Sequence, residues 1–127
     1  MHEPKYFSLD DAQSALPLVK KIAADIHEAV ENMSHIPGGV TFLHSAGDDA
    51  AISEDRRNEA IRLRKQLSNL AEELSEVGAE LKGLQPVLVD FPSLRDNQEV
   101  YLCWAFGEAE IAFWHTPGDG FRGRQPL

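Results

Sequence analysis

The residues most able to do chemistry lie in the last third of the sequence, where carboxylates and arginines accompany apolar stretches. Asp90 stands inside the apolar stretch 87–91, and a carboxylate buried there needs a hydrogen-bonding or charged partner. An arginine suits it, because a guanidinium donates two parallel hydrogen bonds to a carboxylate. The candidate binding residues of this region are Asp90, Arg95, Glu99, Tyr101, Trp114, Arg122 and Arg124.

Two interpretations of this set use the same residues. In the first, they line a polar pocket on a β-sheet, with Tyr101 and Trp114 as its walls, that binds a small anion or a polar metabolite. In the second, they form a salt-bridge network that holds the C-terminal tail on the sheet, and we favour this network. The arginines distinguish the two, because they pair with Asp90 and Glu99 in the network and point into an open cleft in the pocket.

Cys103 and His115 are the remaining candidates. A cysteine becomes a nucleophile when a nearby base lowers its pKa, and a histidine beside carboxylates can hold a metal ion. The register expected for the last hairpin places these two side chains on opposite faces, which argues against a catalytic pair. We therefore expect Cys103 to be a small buried residue, and His115 to bond to the backbone or to a carboxylate.

Composition excludes several classes of protein. The chain has 127 residues, 43% of them hydrophobic and 26% charged, which predicts a single globular domain over 1–127. A formal charge of −9 disfavours binding to nucleic acid or to an anionic membrane, and no apolar run is long enough to cross a bilayer. No standard phosphate-loop, dinucleotide or metal motif is present, so we predict no cofactor, no metal and no catalytic residue. The single cysteine and the lack of a secretory signal predict a cytoplasmic location.

Two helices must precede these residues and position them. Ser8 and Asp11 form a capping pair for a first helix over about 8–33, which we expect to be kinked near Pro17. A loop follows over 34–53, with a short strand possible at 40–43. Leucines at spacings of four and three predict a second helix over 54–83. The apolar seams and the charges of the two helices match in reverse order, which favours an antiparallel, coiled-coil-like hairpin.

The sequence of 86–116 contains three stretches rich in aromatic and β-branched residues, separated by turn residues. This pattern predicts a three-stranded antiparallel meander. The last two strands, 99–106 and 110–115, join at Gly107, which is typical of a tight hairpin. Cross-strand partners share a face of the sheet, so the register of this hairpin decides which side chains lie together. We expect a register in which the residue numbers of each cross-strand pair add to an odd sum. One face then carries the large apolar side chains Val100, Leu102, Trp104, Phe106, Ile111 and Phe113, together with His115. The other face carries Tyr101, Cys103, Ala105, Ala112 and Trp114.

That second face is too apolar to stay exposed, so we expect a second subunit, the loop 34–53 or a ligand to cover it. The tail 117–127 contains turn residues, two arginines and Phe121, and we expect it to be ordered and to fold back on the sheet. The fold class is therefore α+β, with a long helical hairpin followed by the meander and the tail. The strand order, and hence the distance between Asp90 and His115, stays open.

Two parts of the sequence resemble the bacterial domain-of-unknown-function family 2203. One is the stretch 88–127, in which Asp90-Phe91-Pro92, Cys103-Trp104, Trp114-His115 and the run 123–126 are the most specific. The other is the opening 6–12, followed by Leu16-Pro17. The resemblance implies a small cytoplasmic bacterial protein with a helical front and a strand-rich back, and it implies no activity. The loop 34–53 departs from the family's pattern, so nothing is carried over to it.

We expect a non-catalytic interaction or regulatory module that self-associates as a homodimer, through the Tyr101, Cys103 and Trp114 face or through the second helix. A further protein partner is compatible with this hypothesis. The alternative is a small-ligand or anion-binding protein, or a small enzyme, with the polar pocket described above.

Overall fold

The computed structural model describes residues 5–39 and 54–127 of the chain. The two helices are α1 (Leu9–Ser34) and α2 (Glu54–Val77). The strands are β1 (Glu80–Leu84), β2 (Val87–Arg95), β3 (Gln98–Ala105), β4 (Phe113–His115) and β5 (Gln125–Pro126), and a short 3-10 helix covers Phe121–Gly123. The sheet is antiparallel with the order β1-β2-β3-β4-β5. The α+β prediction is confirmed, with five strands where three were predicted.

α1 begins at the predicted capping box. The backbone N–H of Asp11 donates to Ser8 Oγ at 3.0 Å, and Asp11 Oδ2 accepts from the backbone N–H of Ser8 at 3.4 Å, so two free N–H groups of the first turn are satisfied. The helix then continues through Pro17 without a break. Most of the loop predicted over 34–53, including the possible strand at 40–43, lies outside the described residues.

α2 ends earlier than the leucine spacing predicts. The backbone N–H groups of Gly78 and Ala79 both donate to the Leu74 carbonyl, at 3.2 and 3.1 Å, and Gly78 has a φ of 103°. A glycine in this conformation closes a helix, because a side chain there would be strained. The prediction of a helix to residue 83 is therefore wrong, and Leu81 and Leu84 belong to β1.

The core lies between the helical hairpin and one face of the sheet, which we call the inner face. α1 buries an apolar stripe that includes Val19, Ile26 and Met33, and α2 buries Leu63, Leu67, Leu70 and Leu74. The inner face adds the buried side chains Val87, Val89, Phe91, Leu102 and Trp104 to the same cluster.

The register of β3 and β4 differs from the prediction. Tyr101 pairs with His115, Leu102 with Trp114 and Cys103 with Phe113, so the sums are even and the predicted odd register is wrong. The connection 106–112 is longer than a tight turn and is held on α1. Gln13 bonds both the N–H and the C=O of Ile111 at 3.1 Å, and Lys20 Nζ donates to the Ala109 carbonyl at 2.6 Å.

The even register decides which side chains share a face, because paired residues point to the same side of a sheet. Cys103 and His115 lie on the same face, the outer one, which corrects the prediction that they lie on opposite faces. Trp114 lies on the inner face, opposite to Tyr101, and packs against the core.

The tail folds back on the sheet as predicted. β5 pairs with β4 through Phe113–Pro126 and Trp114–Gln125. The Arg124 guanidinium stacks on Phe113 at 4.1 Å and on Phe121 at 4.8 Å from the ring centroids. Tail residues therefore cover part of the outer face. The sequence instead predicts that a second subunit, the loop 34–53 or a ligand covers the apolar second face.

Candidate functional site

A cavity of about 260 Å³ lies on the outer face of the sheet, and we call it the outer-face pocket. Strands β1 to β4 supply its floor and one side of its rim, and the tail supplies the other side. Its lining residues are Lys82, Leu88, Asp90, Tyr101, Cys103 and His115 of the sheet, with Pro117, Gly120 and Phe121 of the tail. The pocket therefore collects polar side chains from four adjacent strands.

A buried carboxylate–imidazole pair occupies the floor. His115 Nε2 and Asp90 Oδ2 are 2.9 Å apart, and the two residues are only 3% and 2% exposed. His115 Nδ1 lies 2.8 Å from the Thr116 carbonyl oxygen, and because a carbonyl only accepts, Nδ1 carries a hydrogen. The hydrogen bond between Nε2 and Oδ2 then requires one hydrogen between these two atoms.

Only one of the two carboxylate oxygens of Asp90 has a hydrogen-bond partner in the described part of the structure. Oδ1 is buried and has no hydrogen-bond partner of good geometry among the described residues. Burial raises the pKa of Asp90, while the charge of His115, the Cys103 thiol and the Lys82 ammonium act in the opposite direction. A buried acceptor without a donor is costly, at about 1–3 kcal/mol.

Cys103 lies directly opposite Asp90 in the β2–β3 ladder. Its Sγ, a carboxylate oxygen of Asp90 and a ring nitrogen of His115 all lie within 4.8 Å of one another, which makes this a set that could hold a metal ion. Burial and the Asp90 charge raise the pKa of the Cys103 thiol to about 12. Both ring nitrogens of His115 are already engaged, so the geometry does not activate Cys103 as a nucleophile.

The rim carries an ion pair and a tyrosine. Lys82 Nζ pairs with Glu80 Oε1 at 3.2 Å and lies 4.8 Å from the centroid of the Tyr101 ring. The Tyr101 ring is in turn tilted against the His115 ring at 5.5 Å, and burial raises the pKa of Tyr101. A ligand entering the pocket thus passes an ammonium and a phenol before it reaches the buried pair.

The structure does not bring the seven predicted site residues into one pocket. Asp90 and Tyr101 line the outer-face pocket, but Trp114 is on the other face of the sheet. The Arg95 guanidinium stacks on Trp114 at 4.5 Å, and Glu99 accepts a hydrogen bond from the Tyr6 hydroxyl at 2.9 Å.

The remaining arginines belong to the tail. Arg124 donates to both carboxylate oxygens of Glu108, at 2.6 and 2.9 Å, and to the Cys103 carbonyl, while Arg122 is exposed. The tail is therefore tied down by an arginine as the network interpretation expects, but its partner is Glu108. Asp90 is instead hydrogen-bonded to His115.

The binding set predicted from the sequence lacks Lys82, Cys103 and His115. The leucine spacing predicts Lys82 at the end of a helix, and the predicted odd register separates Cys103 from His115. One signal was available, because Asp90 inside an apolar strand already required a partner on a neighbouring strand.

Comparison with known proteins agrees with the resemblance. No match was found among curated proteins or solved structures, and none of the described helices is long and apolar enough to span a bilayer. A family model described as "Uncharacterized conserved protein (DUF2203)" matches residues 5–127, nearly the whole chain. The chain therefore belongs to the DUF2203 family.

Proposed function

We propose that the protein binds a small ligand in the outer-face pocket, as a binding protein of the cytoplasm. The observation that carries the proposal is the half-satisfied Asp90 carboxylate on the floor of an open cavity. A ligand with a positive or hydrogen-donating centre supplies what Oδ1 lacks. The free, buried thiol of Cys103 suits a reducing compartment.

The energetics of burial support a ligand over a structural role. A buried carboxylate–imidazole pair contributes little to stability compared with well-packed apolar side chains of similar volume. Three polar side chains, Asp90, Cys103 and His115, are nevertheless buried together beside a cavity. Buried polar groups that converge on a pocket are typical of a binding site.

Native mass spectrometry of the protein as isolated tests this proposal. We expect a constant mass above that of the chain, present under native conditions and lost on denaturation. Asp90→Asn should lose most of the extra mass, because the neutral amide provides no negative charge for the ligand's positive centre. Asp25→Asn, on the exposed side of α1, should retain it.

The proposal fails if native and denatured masses agree for the wild type and for both variants. Circular dichroism of each variant separates loss of the ligand from loss of the fold, and only folded variants enter the comparison.

A second function, self-association, is supported by an apolar groove elsewhere on the molecule. This groove, about 610 Å³ in volume, is lined by the N-terminal segment, the end of β2, Trp114 and Leu127. Phe7 N–H donates to the Pro92 carbonyl at 2.7 Å, and Tyr6 is bonded to Glu99, so the N-terminal segment is fixed along the sheet. Several of its large apolar side chains are exposed: Tyr6, Leu9, Leu94 and Leu127.

The occupant we propose for this groove is a second copy of the chain. Arg95 lines it, and Glu99 is bonded to its Tyr6 wall, so both signs of charge lie on one patch. A twofold interface brings the same patch of two copies together and therefore needs such self-complementarity. Trp114, predicted to be at the interface, is part of this groove, whereas Tyr101 and Cys103 are not.

Light scattering tests this second function. We expect wild type at twice 14.1 kDa and Leu94→Glu at the monomer mass, because a buried carboxylate in the interface is unpaired. The matched control is Leu18→Glu, since Leu18 of α1 is 52% exposed and Leu94 is 51% exposed. A monomeric wild type, or a dimer that survives Leu94→Glu, contradicts it.

A further inference from the structure

We propose that the outer-face pocket is a site for a divalent metal ion of the zinc type, held by Asp90, Cys103 and His115. This inference rests on the proposed binding function and names the ligand class. The site is not part of any motif along the sequence, because its three residues come from three different strands.

The positions of the three ligand atoms fit such an ion after a small adjustment. They all lie within 4.8 Å of one another, and a tetrahedral zinc ion with bonds of about 2.0–2.3 Å separates its ligand atoms by roughly 3.3–3.7 Å. Side-chain movements of about 1 Å therefore close the site. Adjacent paired strands supply all three residues, which gives the site a rigid frame.

His115 is already oriented as a metal ligand. Its Nδ1–H donates to the Thr116 carbonyl at 2.8 Å, and metal-binding histidines use their second nitrogen in this way to fix the tautomer. Nε2 then points to Asp90 and, without its shared proton, becomes the nitrogen that binds the ion.

Asp90 supplies an independent observation. The residue is 2% exposed, and its Oδ1 has no hydrogen-bond partner within the described part of the chain. A carboxylate oxygen that is buried, unpartnered and beside a thiol and an imidazole is the oxygen that a cation would satisfy. The mixed oxygen, sulfur and nitrogen set favours zinc and related ions over calcium or magnesium, which prefer oxygen alone.

Binding of the metal ion in place of two protons leaves the net charge of the cluster unchanged. Without metal, the thiol is neutral and the Asp90–His115 pair holds one shared proton, so the cluster has no net charge. An ion of charge +2 displaces the thiol proton and the shared proton, and both leave to solvent. The product contains a carboxylate, a thiolate, a neutral imidazole and the ion, and it is again neutral, so the buried site never holds an uncompensated charge.

All three residues line the cavity, so a fourth coordination position would be open to it. Three protein ligands with an open position are typical of zinc sites that bind a water molecule or a further ligand. The space of about 260 Å³ admits such a group.

Cobalt(II) absorption of the full-length protein, stripped of metal with a chelator, tests the proposal. We expect one Co²⁺ per chain, with visible bands of a tetrahedral ion and a sulfur-to-cobalt charge-transfer band in the near ultraviolet. One equivalent of Zn²⁺ should remove both.

Cys103→Ser should lose the charge-transfer band, and its affinity for Zn²⁺ should fall by more than about 100-fold, since even outer-shell changes cost 10–100-fold. The conservative Asp90→Asn should weaken binding without removing the charge-transfer band, which provides a second variant. His35→Gln is the matched control, because His35 is exposed at the end of α1.

Each outcome has a separate meaning. Cobalt that binds without the charge-transfer band, or equally well to Cys103→Ser, overturns the metal site. An organic mass retained by the isolated protein, with no cobalt bound in the pocket, overturns the metal proposal and leaves the binding function intact. A chain that retains no mass and binds no cobalt contradicts both.

Discussion

Asp90 shows at the scale of one residue how the fold prepares a site. Its Oδ2 is bonded to His115, whereas its Oδ1 is buried without a hydrogen-bond partner in the described structure. The cost of such an acceptor is tolerated where something else provides the missing donor or charge. The two oxygens of Asp90 therefore differ: Oδ2 holds the imidazole in place, and Oδ1 is the oxygen that we propose contacts a ligand.

The first prediction concerns the stability of this pair. Asp90→Ala should lower the free energy of unfolding by about 3–5 kcal/mol, because it leaves the buried imidazole without its partner. Urea denaturation measures the change, and Asp25→Ala should stay within about 0.5 kcal/mol of wild type. His115→Ala should cost less in the Asp90→Ala background than alone, since the two side chains are coupled. Additive effects would contradict a shared pair.

The second prediction concerns Cys103. Its side chain is 1% exposed and its pKa is raised to about 12, so almost none of it is thiolate at neutral pH. Iodoacetamide should therefore label the metal-free folded protein slowly and the urea-unfolded protein within the ordinary time for a free cysteine. Intact mass spectrometry measures both rates, and equal rates would contradict the environment described for the thiol.

At the scale of elements, the junction between α2 and β1 shows where sequence reasoning reaches its limit. Leu81 and Leu84 continue the helical leucine spacing, yet they lie in a strand. Spacing alone cannot distinguish a helix from a strand here, because two leucines three residues apart also fit a strand whose pairing register shifts. The β1–β2 register shifts between Leu81 and Gly83. The decisive residue is Gly78, which ends the helix.

The third prediction follows from Gly78. Gly78→Ala should cost about 1–2 kcal/mol, because its φ of 103° is strained for any side chain, and the new Cβ would lie 3.0 Å from Lys5 and 3.2 Å from Phe7. Gly118→Ala is the matched control, since nothing lies within 4 Å of a Cβ there. Thermal and urea unfolding measure the two variants, and equal stabilities would contradict Gly78 as the helix end.

The register of β3 and β4 could not be predicted from the strands alone. Maximising the apolar character of one face gave the odd register, but the connection 106–112 is fixed by Gln13 and Lys20 of α1, about 90–100 residues earlier in the chain. The hairpin helices, their capping box and the return of the tail were predictable, because local spacing and turn residues determine them. The site was only partly predictable, because it depends on this long-range register.

In the whole molecule, the sheet separates the apolar core on one face from the polar cluster on the other. The inner face packs on the helices and forms the core, and the outer face carries the polar cluster under the tail. Arg124 connects these parts, since it bonds Glu108 of the β3–β4 connection and stacks on Phe113 and Phe121. The tail therefore forms one wall of the outer-face pocket and is held there by Arg124, by β5 and by the Leu127 N–H, which donates to the Ala112 carbonyl at 3.0 Å.

The fourth prediction tests this arrangement. Arg124→Ala should cost about 1–3 kcal/mol, because it leaves the half-buried Glu108 carboxylate with one donor fewer. It should also speed hydrogen exchange across 117–127, as measured by mass spectrometry. Arg122→Ala lies in the same tail but is exposed, and it should change neither quantity. Unchanged exchange in Arg124→Ala would show that β5 and the Leu127 N–H hold the tail without Arg124.

The central claim is that Asp90, Cys103 and His115 hold a divalent metal ion of the zinc type in the outer-face pocket. The most direct measurement is an anomalous difference map at the zinc absorption edge, from crystals of the full chain grown with zinc. We expect one strong peak between these three side chains, with Nε2 of His115 moved from Asp90 to the ion. An intact Asp90–His115 hydrogen bond with an empty pocket, or zinc bound only to surface residues, would contradict it.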